Sequence, residues 1–583
     1  MVNQLTWKIG GQQGEGIESA GQILAKALTN QGYFLYGIRS FSSRIKGGAT
    51  NNRLRISTTP VGAISDFTDL MLAFDQEAID LNVGDMDVNG WMIADTAFEP
   101  KMPEGNKTRL VALPISEIAK TNGTILMRNM VCVGISCALL GLDPKMIFPM
   151  IQDQYGKKGE KIVTANQHAL MDGYNAMKEA GGAEIEKFHI ESADGKARML
   201  LNGNDAFGFG AIAGGCRFYS GYPITPSTEV MQFMIENLPT IGGDAVQTED
   251  ELSACIMAIG ANYAGVRSMT ATCGPGVALM SEALGLAVMA EIPMVVVDVQ
   301  RGGPSTGLAS KHEQSDLYIS CFGSHGDAVK IVMAPTSIED LFYDAAEAFN
   351  LAEEFQVPVM VLSDQQMGLG EQTVEPFDLA KVEIRRGKIK KQADLPEMAN
   401  PDYYKRYLHT EDGISPRVFP GMKNGIHGTT GLEHDEYGKP FENPAARNKM
   451  MDKRLHKLDN VVNVFKNPLL INAPHAEADL LILGMGGARG VVEEAAERFN
   501  KDGVKANTGI IRLINPMPVE LLKAEMAKAK RVVVVEHNQQ GQYASLMRMN
   551  NLETEAKKIE SVLQYDGGVM KTSTVYNGIK GGK

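Results

Sequence analysis

Three side chains in the middle of this 583-residue sequence have the makings of an acid–base site: Thr225 in "YSGYPITPSTEV", Glu251 in "AVQTEDELSACIMAIGANYAG" and Arg301 in "EIPMVVVDVQRGGPSTG". A hydroxyl can orient a polar substrate, a glutamate can carry a proton, and a guanidinium fork matches a carboxylate. Each also has a purely structural reading. Thr225 can cap a helix whose first residue is Pro226. Thr248 and Glu251 make the T-x-x-E of a capping box. Arg301 can close a surface salt bridge.

The elements that would position these groups can be read from the apolar pattern. The run "PMVVVDVQ" has the composition of a parallel strand buried on both faces, and it stops at Arg301, beyond the strand's carboxyl end, where open α/β sheets bind ligands. Thr225 and Glu251 fall at strand–loop junctions of the same kind, on the same expected sheet edge. Pro223 and Pro226 stiffen the corner around Thr225. Ala254, Ala258 and Gly260 follow Glu251 with small side chains on one helical face, suited to close approach by another helix or a flat ligand.

Short apolar strands alternate with amphipathic helices along most of the chain, so the fold class is α/β with three parallel-sheet domains. We place the first over residues 1–190 and the second over 191–375, with a polar, turn-rich linker near 185–200. A charged, proline- and glycine-rich connecting and covering segment occupies 376–470, and a third α/β domain 471–583. A formal net charge of −13 argues against nucleic acid as a partner. No apolar run approaches the ~18 residues of a membrane span. The opening "MVNQLTWKIGG" lacks the basic start and apolar stretch of a secretory signal, so a cytoplasmic location is expected. The six cysteines are scattered without a C-x-x-C pair, so no metal or cluster site is expected on this chain.

"GYPITPSTEV", "QTEDELSACIMAIGANYAG", "TATCGPGVALMSEALGLA" and "QRGGPSTG" together resemble the pyrimidine-binding domain of the α subunit of 2-oxoacid:ferredoxin oxidoreductases. The resemblance covers nearly the whole chain. "GGQQGEGIESAGQILAKAL" and "FSSRIKGGATNNRLRIS" are similar to the family's γ domain, here fused ahead of α, while "RLINPMP" and "VVVVEHNQQGQ" resemble its transketolase-C-terminal-like domain. A γ-α fusion of this size resembles the branch that oxidises 2-oxoglutarate to succinyl-CoA. Pyruvate or a branched-chain 2-oxo acid is the alternative substrate, and a non-catalytic assembly subunit the alternative role.

The resemblance implies thiamine diphosphate, with Tyr222, Pro223, Ile224, Thr225 and Glu251 around its pyrimidine, Glu251 on ring atom N1′, Thr225 against cofactor and substrate, and Arg301 on the substrate's α-carboxylate. The chain contains no G-D-G followed by an N-N pair to hold Mg²⁺ and the diphosphate. Mg²⁺ and a [4Fe–4S] cluster are therefore expected on a partner β subunit, in an (αβ)2 assembly that passes electrons to ferredoxin. Coenzyme A is the expected co-substrate, with Arg39, Arg44 and Lys46 as candidates for its phosphates. The run containing them, with Arg53 and Arg55, reads equally as a solvated charged face. The loop "GGQQGEG" reads as a tight turn, because its glycine order is not G-x-G-x-x-G and Glu15 and Glu18 would repel a phosphate. His409, His427 and His434 lie in a glycine-filled stretch whose spacing suits a covering loop, and no ligand role is assigned to them.

Overall fold

The strand Gln4–Gln12 is buried along all but its two ends, as its run of apolar residues requires, and lies inside an eight-stranded sheet. On one side it pairs in parallel with Thr68–Ala73, followed by Met86–Asp95 and Arg109–Leu113, also parallel. On the other side Ala49–Ser57 and Phe34–Ser40 run antiparallel, and Glu371–Val374 and Met199–Asn202 complete the edge. The computed structural model describes residues 1–42, 47–395 and 403–581. They form two units: Met1–Leu201 with Leu369–Pro376 and Lys571–Ser573, and Asn202–Gly368 with Phe377–Met570 and the residues from Thr574 on.

In the first unit the helix Arg128–Leu140 is buried from Asn129 onward and crosses the helix Glu160–Gly181 with almost no space between backbones. A Cβ on Gly134 would stand 1.9 Å from the carbonyl oxygen of Leu170, and one on Gly173 would stand 2.2 Å from that of Val131. Only glycine permits this approach at both positions. The polar stretch near residues 185–200 runs along the sheet: Val2 bridges Ile190, and Met199–Asn202 is an edge strand.

The second unit contains two sheets. One has the strand order Leu513–Asn515, Ile331–Met333, Pro358–Asp364, Met294–Gln300, Ser268–Thr272, Phe218–Gly221, Asp244–Gln247, parallel throughout except at the first pair. All seven residues of Met294–Gln300 are buried, which its near-continuous apolar sequence allows. The other sheet comprises Leu469–Asn472, Ala506–Ile511, Ala478–Met485, Ala529–Glu536 and Ile559–Leu563, antiparallel only at its first pair. A single buried core joins the two, running from Met294, Val296 and Met360 to Leu481, Val532 and Tyr543.

Among the described residues of 377–466 there is little regular structure outside the helix Pro444–His456, yet two buried acids fasten them. Glu353 receives Arg267 at 2.8 Å, Arg417 at 2.7 Å and Arg386 at 2.6 Å. The carboxylate of Glu291 receives Lys453 at 2.6 Å and Lys457 at 2.5 Å, while Arg406 donates to the Glu291 carbonyl at 2.6 Å. Buried acids of this kind need their cations, because an unpaired charge away from water is expensive. Its polar composition therefore does not make the segment loose.

All six cysteines are free and buried. Burial pushes their thiols upward, Cys137, Cys216, Cys255 and Cys321 each to about 12.

Candidate active site

The corner that carries Thr225 is built differently from a capped helix start. The Thr225–Pro226 peptide is cis, and the helix begins only at Thr228, with Ser227 before it making no side-chain cap. The expectation that Thr225 caps a helix opened by Pro226 is thus corrected: Pro226 lies outside the helix, which starts two residues later. Ser227 donates its hydroxyl to the Ile224 carbonyl at 2.9 Å, and Asn204 donates to the Pro226 carbonyl at 2.8 Å. The Thr225 hydroxyl is left without a hydrogen bond to the described residues, while its carbonyl accepts from Arg301 Nη1 at 2.6 Å and from the Cys273 thiol at 3.6 Å.

Glu251 opens the helix Glu251–Tyr263, but it caps nothing. Asp250 is the capping residue, accepting from Ser253 N at 2.7 Å, and Thr248 donates its hydroxyl to the Asp250 carbonyl instead. This overturns the T-x-x-E capping box: the cap lies at Asp250, so Glu251 sits at the first helical position. Its carboxylate is free of that duty. Glu251 is only 5% exposed, and it lies so close to the helix Gly274–Leu279 that a Cβ on Gly276 would be 2.7 Å from Glu251 Cγ and 1.9 Å from Thr272 Oγ1. Among the described residues it accepts no hydrogen bond. A buried acid without a partner of its own is suited to a ligand that supplies one. Ala254 and Ala258 are buried against this chain's own sheet, where their carbonyls accept from Ser220 and Ser268. Only Gly260 of the three small residues faces open space.

Arg301 follows the last residue of Met294–Gln300, as its place in the sequence predicts, and is 6% exposed. One of its donors is spent on Thr225 and its Nε is buried without a partner. Sequence reasoning passed over three neighbours. Cys273 precedes the helix Gly274–Leu279 and feels the charges of Arg301, Asp298, Asp316 and Glu251. Asp298, within the same strand that delivers Arg301, is fully buried. Asp316 precedes the helix Leu317–Phe322, and its carboxyl crowds Gly274. The acid inside the run "PMVVVDVQ" is the one visible signal, since a strand buried on both faces has no structural use for a carboxylate. Tyr222 is 38% exposed at the rim, with Pro223 and Ile224 half-buried behind it.

The structure brings Thr225, Arg301, Cys273 and Glu251 to one sheet edge. A hydroxyl, a carboxyl and a guanidinium with a spare donor can together hold a flat nitrogen heterocycle and an anionic substrate. Arg44 and Lys46 lie outside the described residues, and Arg39 pairs with Glu18 and donates Nε to the Leu369 carbonyl at 3.3 Å. Arg53 and Arg55 are buried, donating to the carbonyls of Ser65, Phe67 and Ala63, so they form neither a solvated face nor a phosphate patch. In "GGQQGEG", Gly14 and Gly16 take positive φ, and Glu15 folds back to accept from Gln12 N and to pair with Arg128. His427 bonds Tyr263 at 3.3 Å, His434 packs on Tyr407 with ring centres 4.1 Å apart, and the backbone of His409 donates to Glu436.

Sheet order, the acid at a helix start beside a glycine cradle, and the arginine at the strand end define an α/β fold with a thiamine-diphosphate-binding domain. Residues 209–453 match the family model of the pyruvate flavodoxin/ferredoxin oxidoreductase thiamine-diphosphate-binding domain, residues 6–176 that of pyruvate ferredoxin/flavodoxin oxidoreductase, and residues 478–575 pyruvate:ferredoxin oxidoreductase core domain II. The chain is 33% identical to 2-oxoacid:ferredoxin oxidoreductase 2 subunit alpha of Aeropyrum pernix, over 98% of this chain and 96% of that one. It belongs to the 2-oxoacid:ferredoxin oxidoreductase family, as a subunit of the alpha type. It is also 38% identical to the 2-oxoglutarate synthase subunit KorA of Methanothermobacter thermautotrophicus, over 58% of this chain and 87% of that one. Among solved structures it is similar to the 2-oxoglutarate:ferredoxin oxidoreductase of Magnetococcus marinus, determined with 2-oxoglutarate, coenzyme A and succinyl-CoA bound, with a TM-score of 0.92, 37% identity and complete coverage of both chains.

Proposed function

We propose that this chain is the α subunit of a cytoplasmic enzyme that oxidatively decarboxylates 2-oxoglutarate to succinyl-CoA and passes the electron pair, one electron at a time, to ferredoxin. The observation that supports the chemistry is the unengaged, buried carboxylate of Glu251 facing the same sheet edge as Arg301. The preference for 2-oxoglutarate is supported by the similarity to the Magnetococcus marinus enzyme along both full chains. The second reading, pyruvate or another 2-oxo acid, is favoured by relatives whose names specify no substrate beyond the class.

Thiamine diphosphate, when bound, supplies the nucleophilic carbon and the electron sink that decarboxylation needs. The chain's own part is geometry and proton control. Glu251, 5% exposed, would share a proton with the pyrimidine ring nitrogen. Thr225, fixed by two prolines and by the clamp of Arg301 on its carbonyl, directs its hydroxyl at the reacting groups. Tyr222, Pro223 and Ile224 would hold the ring as part of its wall. Arg301 grips the α-carboxylate until that group leaves as carbon dioxide. The diphosphate, Mg²⁺ and [4Fe–4S] cluster reside on a β subunit in an (αβ)2 assembly, and Arg39, Arg44 and Lys46 serve coenzyme A.

Glu251→Gln tests the reading in the complex with its β partner. Because Asp250 does the capping, the substitution leaves stability within about 0.5 kcal/mol and lowers 2-oxoglutarate-dependent viologen reduction on the order of 10²–10⁴-fold. Normal turnover by the variant refutes the role of Glu251. Rates with a panel of 2-oxo acids decide the substrate, and faster turnover of pyruvate than of 2-oxoglutarate would select the second reading.

A further inference from the structure

The carboxyl groups of Asp298 and Asp316 act on each other, and Asp316 also feels Arg301; their significance rests on the assignment of Arg301 to the substrate's α-carboxylate. Asp298 lies in the strand Met294–Gln300, three residues before Arg301, and in register with Thr272, the residue before Cys273. Asp316 is tied to this strand end by its backbone N–H, which donates to Gln300 Oε1 at 3.1 Å, and its carboxyl oxygens stand 2.7 Å from the place a Cβ on Gly274 would take. Both oxygens of Asp298 and Oδ2 of Asp316 are buried with no hydrogen-bond partner. Glu313 and Arg301 act on Asp316, Asp316 acts on Asp298, and the Cys273 thiol feels both acids; Arg301 is the only cation among these groups. Its Nη1 is already committed to the Thr225 carbonyl.

An ionised carboxylate enclosed without donors is costly, and two neighbouring acids do not readily both ionise. A proton is the partner these oxygens lack. We propose that Asp298 and Asp316 are positioning residues, Asp298 keeping its proton throughout and Asp316 keeping its own below neutrality, so that the charge of the Arg301 guanidinium stays available there to the substrate's α-carboxylate. Burial, and then the nearby Glu313, push the Asp316 carboxyl up to about 7 against the pull of Arg301. Burial and the apposition of Asp316 hold Asp298 well above the ordinary range. Asp316 therefore ionises first as pH rises, and the new anion then competes with substrate for Arg301.

The test is the pH dependence of KM and kcat for 2-oxoglutarate in the complete αβ complex. The wild type is expected to show KM rising roughly tenfold between about pH 6.5 and 8.5, the size of one charge competing at close range in a partly screened site. Asp316→Asn, which mimics the neutral acid, is expected to hold the low-pH KM across that range. Arg301→Gln raises KM at every pH if the carboxylate assignment is right; an unchanged KM in that variant overturns the assignment and this inference together. A raised KM in Arg301→Gln, with wild type and Asp316→Asn following one pH profile, overturns the proton pair alone. An independent readout needs no turnover: infrared spectra of the complex at neutral pH should contain the carbonyl stretch of a neutral carboxylic acid that Asp298→Asn removes. Absence of that band in the wild type also overturns the proposal.

Discussion

Replacing Glu291 with glutamine should release the covering segment while leaving the sheet intact. Glu291 is completely buried, as are the two ammonium groups on its carboxylate, Lys453 at 2.6 Å and Lys457 at 2.5 Å. Burial alone would raise the Glu291 carboxyl; Lys453, Lys457 and Arg406 override it and hold the group well below the usual range. Removing that charge strands the two lysines, and losing one partner of a buried pair costs about 3–5 kcal/mol. An upper bound comes from the lysines' escape route, since a lysine can shed its proton at pH 7 for about 1.4 kcal/mol per unit below its ordinary ~10.4, or roughly 4.6 kcal/mol. Lys457, which burial lowers to about 7 even with Glu291 present, is already half-neutral there and adds little. The loss thus falls mainly on Lys453 and should be about 3–5 kcal/mol at pH 7, shrinking as pH rises. The assay is limited trypsinolysis of residues 403–460, whose cleavage tracks the open population. We expect about 10²–10⁴-fold faster cutting in Glu291→Gln. The triple variant Glu291→Leu, Lys453→Met, Lys457→Met should recover most of the protection, because an apolar replacement leaves no unpaired charge. Wild-type resistance in Glu291→Gln would show that the cluster does not fasten the segment.

Two further expectations concern the site. Gly276→Ala places a methyl 1.9 Å from Thr272 Oγ1 and 2.7 Å from Glu251 Cγ; it should cost about 1–3 kcal/mol in urea midpoint stability and on the order of 10²-fold in turnover through displacement of the acid, and full activity would refute the cradle. Asp316→Asn should be more stable than wild type in alkali. The folded-state carboxyl titrates at about 7 against an ordinary 3.8, so wild-type stability is lost as pH climbs between those values, and the variant's advantage should grow from nothing near pH 4 to at most about 4 kcal/mol above pH 7. Equal urea curves at pH 4 and pH 8 would contradict it.

The strands Met294–Gln300 and Pro358–Asp364 were legible because every residue in them is buried and most are apolar, so their carboxyl ends, and Arg301 with them, could be located by pattern alone. The caps were not. Thr248 and Asp250 are both good capping residues two positions apart, and only backbone conformation decides that Asp250 is used, which moves Glu251 from reciprocal cap to free acid. The cis bond before Pro226 is likewise invisible in the residue types, which fit an ordinary helix start equally well. Leu513–Asn515 was grouped with the last sheet, yet it pairs with Ile331–Met333 in the middle one, a contact between segments about 180 residues apart that local periodicity does not encode. The segment after Phe377 reads as polar and irregular, and where it is described most of it is; its attachment depends on Glu291, in the turn after the helix Ser281–Met289, and on Glu353, inside the helix Ile338–Phe355. Asp298 could have been noticed, since a lone carboxylate amid valines is at odds with its surroundings.

The enclosure of every thiol has a practical corollary. Alkylating reagents should find nothing to modify in the intact chain, so each sulfur becomes a silent clock for the region around it. Cys132 and Cys137 report when the crossed helices of the first unit part, and Cys216, Cys255, Cys273 and Cys321 when the neighbourhood of the second sheet opens. Rapid inactivation of the native complex by a maleimide would then have to originate on another polypeptide.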